Sequence, residues 1–220
     1  MAEGVGPPAR PSPRVAARQA DARRRILEAA RVVVAEQGFA AAQVAVVAQM
    51  AEVATGSIYR HFPSKASLFS EMLRVVCVRE LEVVRAITDE PGRSAADRLA
   101  DAVATFVDRA LRGEGLAYAV IVEPMDPDVD QVRLEARAGL AAAFAEVITE
   151  GVEAGEFPAQ DARIRGAAIV GAFLEGVVAP LADRATRTPD RDAISTEIAR
   201  FARAGVAGSD PTTRPQESAR

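Results

Sequence analysis

The 220-residue chain is 49% hydrophobic but only 5% aromatic, with no tryptophan, one cysteine and a formal net charge of −4. Small aliphatic side chains must therefore build its core, which favours closely packed helices over an aromatic-rich sandwich. The lone Cys77 excludes an intrachain disulfide framework and suits a reducing compartment.

Charge is unevenly spread. Residues 1–65 carry nine Lys or Arg against five Asp or Glu, whereas residues 66–220 carry eighteen against twenty-six. A basic front on an acidic body holds one end against a polyanion while the remainder is repelled. The opening residues lack the apolar run of a secretory signal. In the apolar C-terminal region the longest uncharged run is 166–174, short of the ~20 residues of a membrane span. The expectation is a soluble, cytoplasmic protein with no membrane partner.

In chain order, residues 1–17 hold two glycines, four prolines and two arginines and read as a disordered basic arm. A first helix is predicted over 17–37, where Ile26, Ala29, Ala30, Val33 and Val34 form one apolar stripe and Gly38 offers a C-terminal cap. A second follows over 43–51, with Val44, Val47, Ala48 and Ala51 as its stripe. A short third helix spans 55–62 and stops before Pro63. Ser64 then caps a long fourth helix reaching 88. Further helices are predicted over 94–111, 116–122, 128–154, 160–182 and 190–204, with turns at Glu90-Pro91-Gly92-Arg93, 113–115, 124–127, 155–158 and Thr188-Pro189. The stretch 205–220 reads as a disordered tail. The fold class is all-α: a DNA-binding domain over 18–64 and a larger helical effector-binding and dimerisation domain over 65–204.

The second and third helices carry the chemistry. Two short helices joined by about three residues have the dimensions of a helix-turn-helix, whose second helix lies in the major groove. Gly56, a poor helix former, lets another backbone approach the start of the third helix. Thr55, Ser57 and Tyr59 offer hydroxyls to phosphates or bases, and Arg60 adds a phosphate or guanine contact. Lys65, the only lysine, opens the fourth helix, where a cation opposes the helix dipole. A phosphate beside it explains that placement. Ile58 and Phe62 belong to the small core. His61, the sole histidine, lacks the partners of a metal site. It is read first as a packing or hydrogen-bonding residue and second as a phosphate contact.

The string Gly38-Phe39, then Val44-x-x-Val47-Ala48-x-x-Ala51-x-Val53-x-Thr55-Gly56-Ser57-Ile58-Tyr59-Arg60-His61-Phe62-Pro63-Ser64-Lys65, closely resembles the DNA-binding domain of the tetracycline-repressor (TetR-like) family. The match extends back through Arg25-Ile26-Leu27-Glu28-Ala29-Ala30 and forward through Leu68-Phe69, covering roughly residues 23–73. Beyond that, the resemblance lies in helix count and in Glu123-Pro124-Met125-Asp126-Pro127. Three positions depart from the family pattern. Glu52 occupies the turn position usually filled by Gly, at a cost of about 1–2 kcal/mol for any positive φ. Ala54 replaces the usual Ser, leaving Thr55 to cap, and Ala42-Gln43 replaces the usual Thr or Ser, leaving Gln43 to contact phosphate.

The resemblance implies a homodimer reading a pseudo-palindromic DNA operator and releasing it when a small apolar effector binds. Leu140, Phe144, Val147 and Ile148, with Val170, Phe173, Leu174 and Val177, are the expected subunit interface, with burial entirely within one subunit as the alternative, and Gly166, Gly171 and Gly176 allow close backbone approach. Phe106, Tyr118, Ile121, Met125, Phe144 and Phe173 are candidates to line an effector cavity with Arg109 at its edge, and equally good core residues. The acidic run Glu123, Asp126, Asp128 and Asp130 reads as helix capping ahead of cation binding. Cys77 reads as a core thiol. No nucleophile–base pair, metal-ligand cluster or phosphate-binding loop points to an enzyme, and no cofactor is expected. The alternatives are a helical adaptor that no longer binds DNA, and behind it an all-α enzyme.

Overall fold

The computed structural model describes residues 12–183 and 190–208. Among these residues every regular element is a helix. The first six are α1 (Pro13–Ala41), α2 (Val44–Met50), α3 (Thr55–His61), α4 (Lys65–Thr88), α5 (Ala95–Arg112) and α6 (Glu114–Ile121). Then come α7 (Pro127–Glu153), α8 (Ala162–Gly176), α9 (Val178–Ala182) and α10 (Arg191–Ala207).

Local chemistry sets most boundaries. Pro13 opens α1, where a missing N–H costs nothing. Gly38 interrupts that helix with φ 75°, ψ 169°, a conformation closed to side chains. Ser64 Oγ accepts the N–H of Ser67 at 3.0 Å, and Ser94 Oγ that of Asp97 at 3.1 Å. Asp126, Asp161 and Asp190 cap α7, α8 and α10 in the same way.

Three expectations need correction. Residues 13–17, read as part of a disordered arm, are helical, because an Ala- and Arg-rich segment follows Pro13. The segment predicted as one helix over 160–182 is two, broken at Val177. The last helix runs to Ala207, beyond the expected 204. Residues 1–11, 209–220 and the Thr188-Pro189 turn lie outside the described residues.

Two hydrophobic cores share one beam. The first joins Ile26, Val33, Val34, Val47 and Ile58 to Phe62, Leu68, Phe69, Met72 and Leu73. The second joins Val84 and Leu99 to Val107, Phe144, Ile148, Phe173 and Leu181. Helix α4 therefore has its first half in one core and its second half in the other. The N-terminal core also takes in Ala119 of α6 and Val129 and Val132 of α7. It does not end at residue 64, where the sequence pattern places the boundary.

The stretch Ala162–Ala182 is long and apolar enough, by length and composition, to cross a membrane. In this fold it breaks into α8 and α9 and sends Ile169, Phe173, Val177 and Leu181 into the second core.

Candidate nucleic-acid interface and neighbouring cavity

Helices α2 and α3 pack on α1 through Val44, Val47, Ala48 and Ile58, all buried. The turn between them closes with Val53 N–H donating to Ala48 C=O at 3.0 Å. Glu52 sits at its apex with φ 55°, the only positive φ outside glycine among the described residues. The sequence anticipated that strain. Ala54 is the N-cap of α3 and its side chain makes no capping bond, so Thr55 is the first helical residue and does not cap.

What α3 buries is Ile58; what it presents is polar. Thr55, Gly56, Tyr59 and Arg60 are exposed, Tyr59 by 49%, and Ser57 and His61 are half-exposed. No atom stands within 4 Å of where a Gly56 side chain would begin, so the helix start is open to a large partner. Arg60 Nη2 donates to Ser57 Oγ at 2.6 Å, which holds the guanidinium along the helix. Lys65, one short linker away, is exposed with its ammonium 5.7 Å from the Phe69 ring centre. Gln43 is exposed at the start of α2 without a capping bond. The ring of His61 lies 6.3 Å from that of Phe62, against the linker into α4. Phe62 is buried beneath the Arg23 guanidinium, 4.9 Å away. One solvent-facing strip thus offers hydroxyls, an amide and two cations, the donor set that duplex phosphates and base edges accept.

A cavity of about 280 Å³ opens where α4, α5 and α6 meet. Its wall is Val76, Phe106, Leu116, Ala117, Val120 and Ile121, with Arg109 and Arg112 at the rim. Arg109 makes a two-pronged ion pair with Glu80, 2.8 Å from Nε and 2.6 Å from Nη2, and this raises its pKa further. Arg112 pairs with Asp108 at 2.8 Å. Both cations are already neutralised, so what the cavity offers is apolar surface.

Of the residues expected around a cavity, Phe106, Arg109 and Ile121 come together there. Phe173 stacks behind Phe106 with ring centres 4.6 Å apart, Phe144 stands 5.9 Å behind Phe173, and both are fully buried. They support the wall without lining it. Tyr118 packs against the second core and Met125 against the first. Sequence reasoning passed over Val76, Glu80, Leu116, Ala117 and Val120. The signal present for the last three was the apolar spacing 116, 117, 120, 121 along α6.

The expected interface set requires a larger correction. Phe144, Val147, Ile148, Phe173 and Val177 are 0–1% exposed, and Leu140, Val170 and Leu174 are at most 8% exposed. They fill the subunit's own core, in which α7 packs on α4, α5 and α8, and α8 on α7 and α10. A helical stripe marks which face is apolar; it does not say what covers that face. Gly166 likewise serves a contact within the subunit: a side chain there would start 2.5 Å from the Ala141 carbonyl oxygen of α7. Gly176 packs against Ile198, whereas Gly171 faces open space. The outward faces of α7 and α8 instead carry Leu134, Ala138, Ala142, Ile164, Ala167, Ala168 and Gly171, with Leu134 and Ile164 51% and 66% exposed.

Within the acidic run, Asp126 caps α7, Asp130 pairs with Arg133, and the Glu123 carboxylate accepts the Phe39 N–H. Cys77 is packed against the first core, and burial, with Glu80 nearby, pushes its thiol up to about 11.

Residues 26–72 match the family model for bacterial regulatory proteins of the tetR family, and residues 92–175 match a tetracyclin repressor-like C-terminal domain. The HTH-type transcriptional repressor KstR of Rhodococcus jostii is 32% identical over 133 residues, covering 54% of this chain and 60% of KstR. KstR of Mycolicibacterium smegmatis is 41% identical over 71 residues, 32% of this chain and 33% of that protein. The chain spans less than two thirds of the length of these curated relatives. Among solved structures, the transcriptional regulator FadR of Bacillus subtilis, in complex with stearoyl-CoA, shares the fold at TM-score 0.71 and 24% identity, over 83% of this chain and 98% of FadR.

Proposed function

The chain belongs to the tetracycline-repressor family of bacterial regulatory proteins, and on that premise we propose that it is a sequence-specific DNA-binding repressor released by a small apolar effector. It works in the cytoplasm as a homodimer on a pseudo-palindromic operator. The observation that carries this reading is α3, a helix that buries only Ile58 and exposes Thr55, Gly56, Tyr59 and Arg60 beside Lys65. Among the described residues, no other element buries Thr55, Gly56, Tyr59 or Arg60.

Two further features support the reading. The exposed Leu134 and Ile164 on an alanine-rich α7–α8 surface suit a second copy of the same face, which would present two recognition helices to DNA. The cavity lies beside α6, whose Ala119 belongs to the same core as α3, so an occupant that displaces α6 distinguishes two settings of the DNA-binding helices. At about 280 Å³ the cavity is at the small end of ligand pockets, and its cations are paired. A compact neutral apolar molecule fits it better than a long acyl-CoA of the kind held by FadR.

The test is a gel-shift titration on the DNA upstream of the protein's own gene, with and without a panel of compact apolar compounds and acyl-CoAs. Retardation at nanomolar protein, reversed by a compact apolar compound and insensitive to it in Val120→Trp, supports the reading. A protein that is monomeric in sedimentation and retards no fragment ends it.

A further inference from the structure

Helix α1 overshoots the domain it belongs to. Its first buried side chain is Ile26, yet the helix begins at Pro13, and residues 13–20 are exposed throughout. The match to the tetR family model begins at residue 26, so this overhang lies outside the matched residues. An exposed two-turn helix gains nothing from packing and is marginal in water.

Its placement is informative. A cleft of about 780 Å³ separates the overhang from the recognition helix, with Arg14, Arg18 and Arg25 on one side and Ser57, Arg60 and His61 on the other. Positions 14, 18 and 25 fall on one face of a helix, so the arginines form a row facing α3. The acid in this cleft, Asp21, is taken up by Arg24 at 2.5 Å and Arg25 at 3.5 Å. Arg25 also donates to the Ala51 carbonyl at 3.1 Å, which fixes it to the helix-turn-helix. Arg14 and Arg18 have no acidic partner among the described residues. Two unpaired guanidiniums thus stand across a groove from the helix that reads DNA.

We propose that residues 13–20 form a second DNA-contacting element, in which Arg14 and Arg18 hold two backbone phosphates flanking the groove read by α3. The inference rests on the DNA-binding reading above and adds an anchor to it. A guanidinium pair one turn apart matches successive phosphates of one strand, and arginine holds phosphate with two parallel hydrogen bonds. Such contacts position the protein without reading sequence.

The experiment is fluorescence anisotropy of the full-length protein on its operator and on a scrambled duplex across a salt series, comparing wild type, R14A/R18A, R14K/R18K and Lys65→Ala. Each phosphate contact contributes about 0.9 to the slope of log K against log salt, so R14A/R18A should lower the slope by about 1.8. Its preference for operator over scrambled DNA should not change, and R14K/R18K should keep the wild-type slope. An unchanged slope for R14A/R18A, with Lys65→Ala still losing about 1, overturns this inference and leaves the repressor reading standing. Wild-type protein that binds neither duplex overturns both.

Discussion

The Glu123 carboxylate accepts the backbone N–H of Phe39 at 2.8 Å, joining the segment after α6 to the end of α1 across 84 residues of sequence. Its other oxygen lies so close to Gly38 that a side chain there would start 2.3 Å away. Glu123→Ala should leave a partly buried N–H without its acceptor, at a cost of about 1–3 kcal/mol, read as a lower urea midpoint. Because this bond ties the segment after α6, whose residues wall the cavity, to Phe39 of the first core, the variant should also need more effector for half-release in a gel shift. A variant with the wild-type midpoint would show that the bond carries no weight.

Gly115 makes the second clamp. A side chain there would begin 2.1 Å from the Ala35 carbonyl oxygen, so α6 approaches the α1 backbone closer than any other residue permits. Gly115→Ala should cost about 1–3 kcal/mol by overpacking and should weaken operator affinity, since α1 carries the helix-turn-helix. Calorimetric melting and anisotropy together check it.

Neither clamp was legible in the sequence, and the reason is physical. Periodicity reports which side of a helix is apolar, so the all-α fold, the α2–α3 pair and the buried roles of Ile58 and Phe62 follow from spacing alone. Contacts between Gly115 and Ala35, or Glu123 and Phe39, depend on which helices meet, which no local pattern states. The same gap explains the interface residues: Phe144 and Phe173 sit on the expected apolar stripes, but they face the subunit's own core, where Phe173 stacks between Phe106 and Phe144. Glu52 shows the opposite case, where a turn of fixed geometry made the strained residue visible from its position.

Glu52 holds φ 55° without the glycine that such a turn favours. Glu52→Gly should therefore raise stability by about 1 kcal/mol, measured by urea unfolding, with operator affinity retained. A loss of stability would mean that the Glu52 side chain contributes something its exposed setting does not reveal.

The contacts proposed for α3 and α4 should separate by assay. Lys65→Ala should weaken binding to all duplexes alike and lower the salt slope by about 1. Thr55→Ala or Arg60→Ala should instead relax base preference, each by about 1–3 kcal/mol at one position of the site. Anisotropy against single-base operator variants distinguishes the two patterns. Identical behaviour for all three would undo the assignment of base and phosphate roles.

Burial lifts the Cys77 thiol from 9.0 to about 11, so the folded chain holds that proton more tightly than the unfolded one. The associated stability is fully present below pH 9 and drains away as pH climbs towards 11. At pH 8 the folded protein should have about 100-fold less thiolate than the urea-unfolded chain. Iodoacetamide labelling followed by mass spectrometry should show alkylation slowed to a matching degree; equal rates would place the thiol in solvent.

Twenty-six of the 27 Lys and Arg residues are arginine, which leaves Lys65 as the one side-chain amine in the chain, exposed at the first residue of α4. Amine-directed chemistry, whether a dye, a crosslinker or an acetyl donor, therefore has a single side-chain target. A fluorophore attached there would report occupancy of the proposed DNA surface at a known address, and acetylation would erase one positive charge there and nowhere else among the side chains.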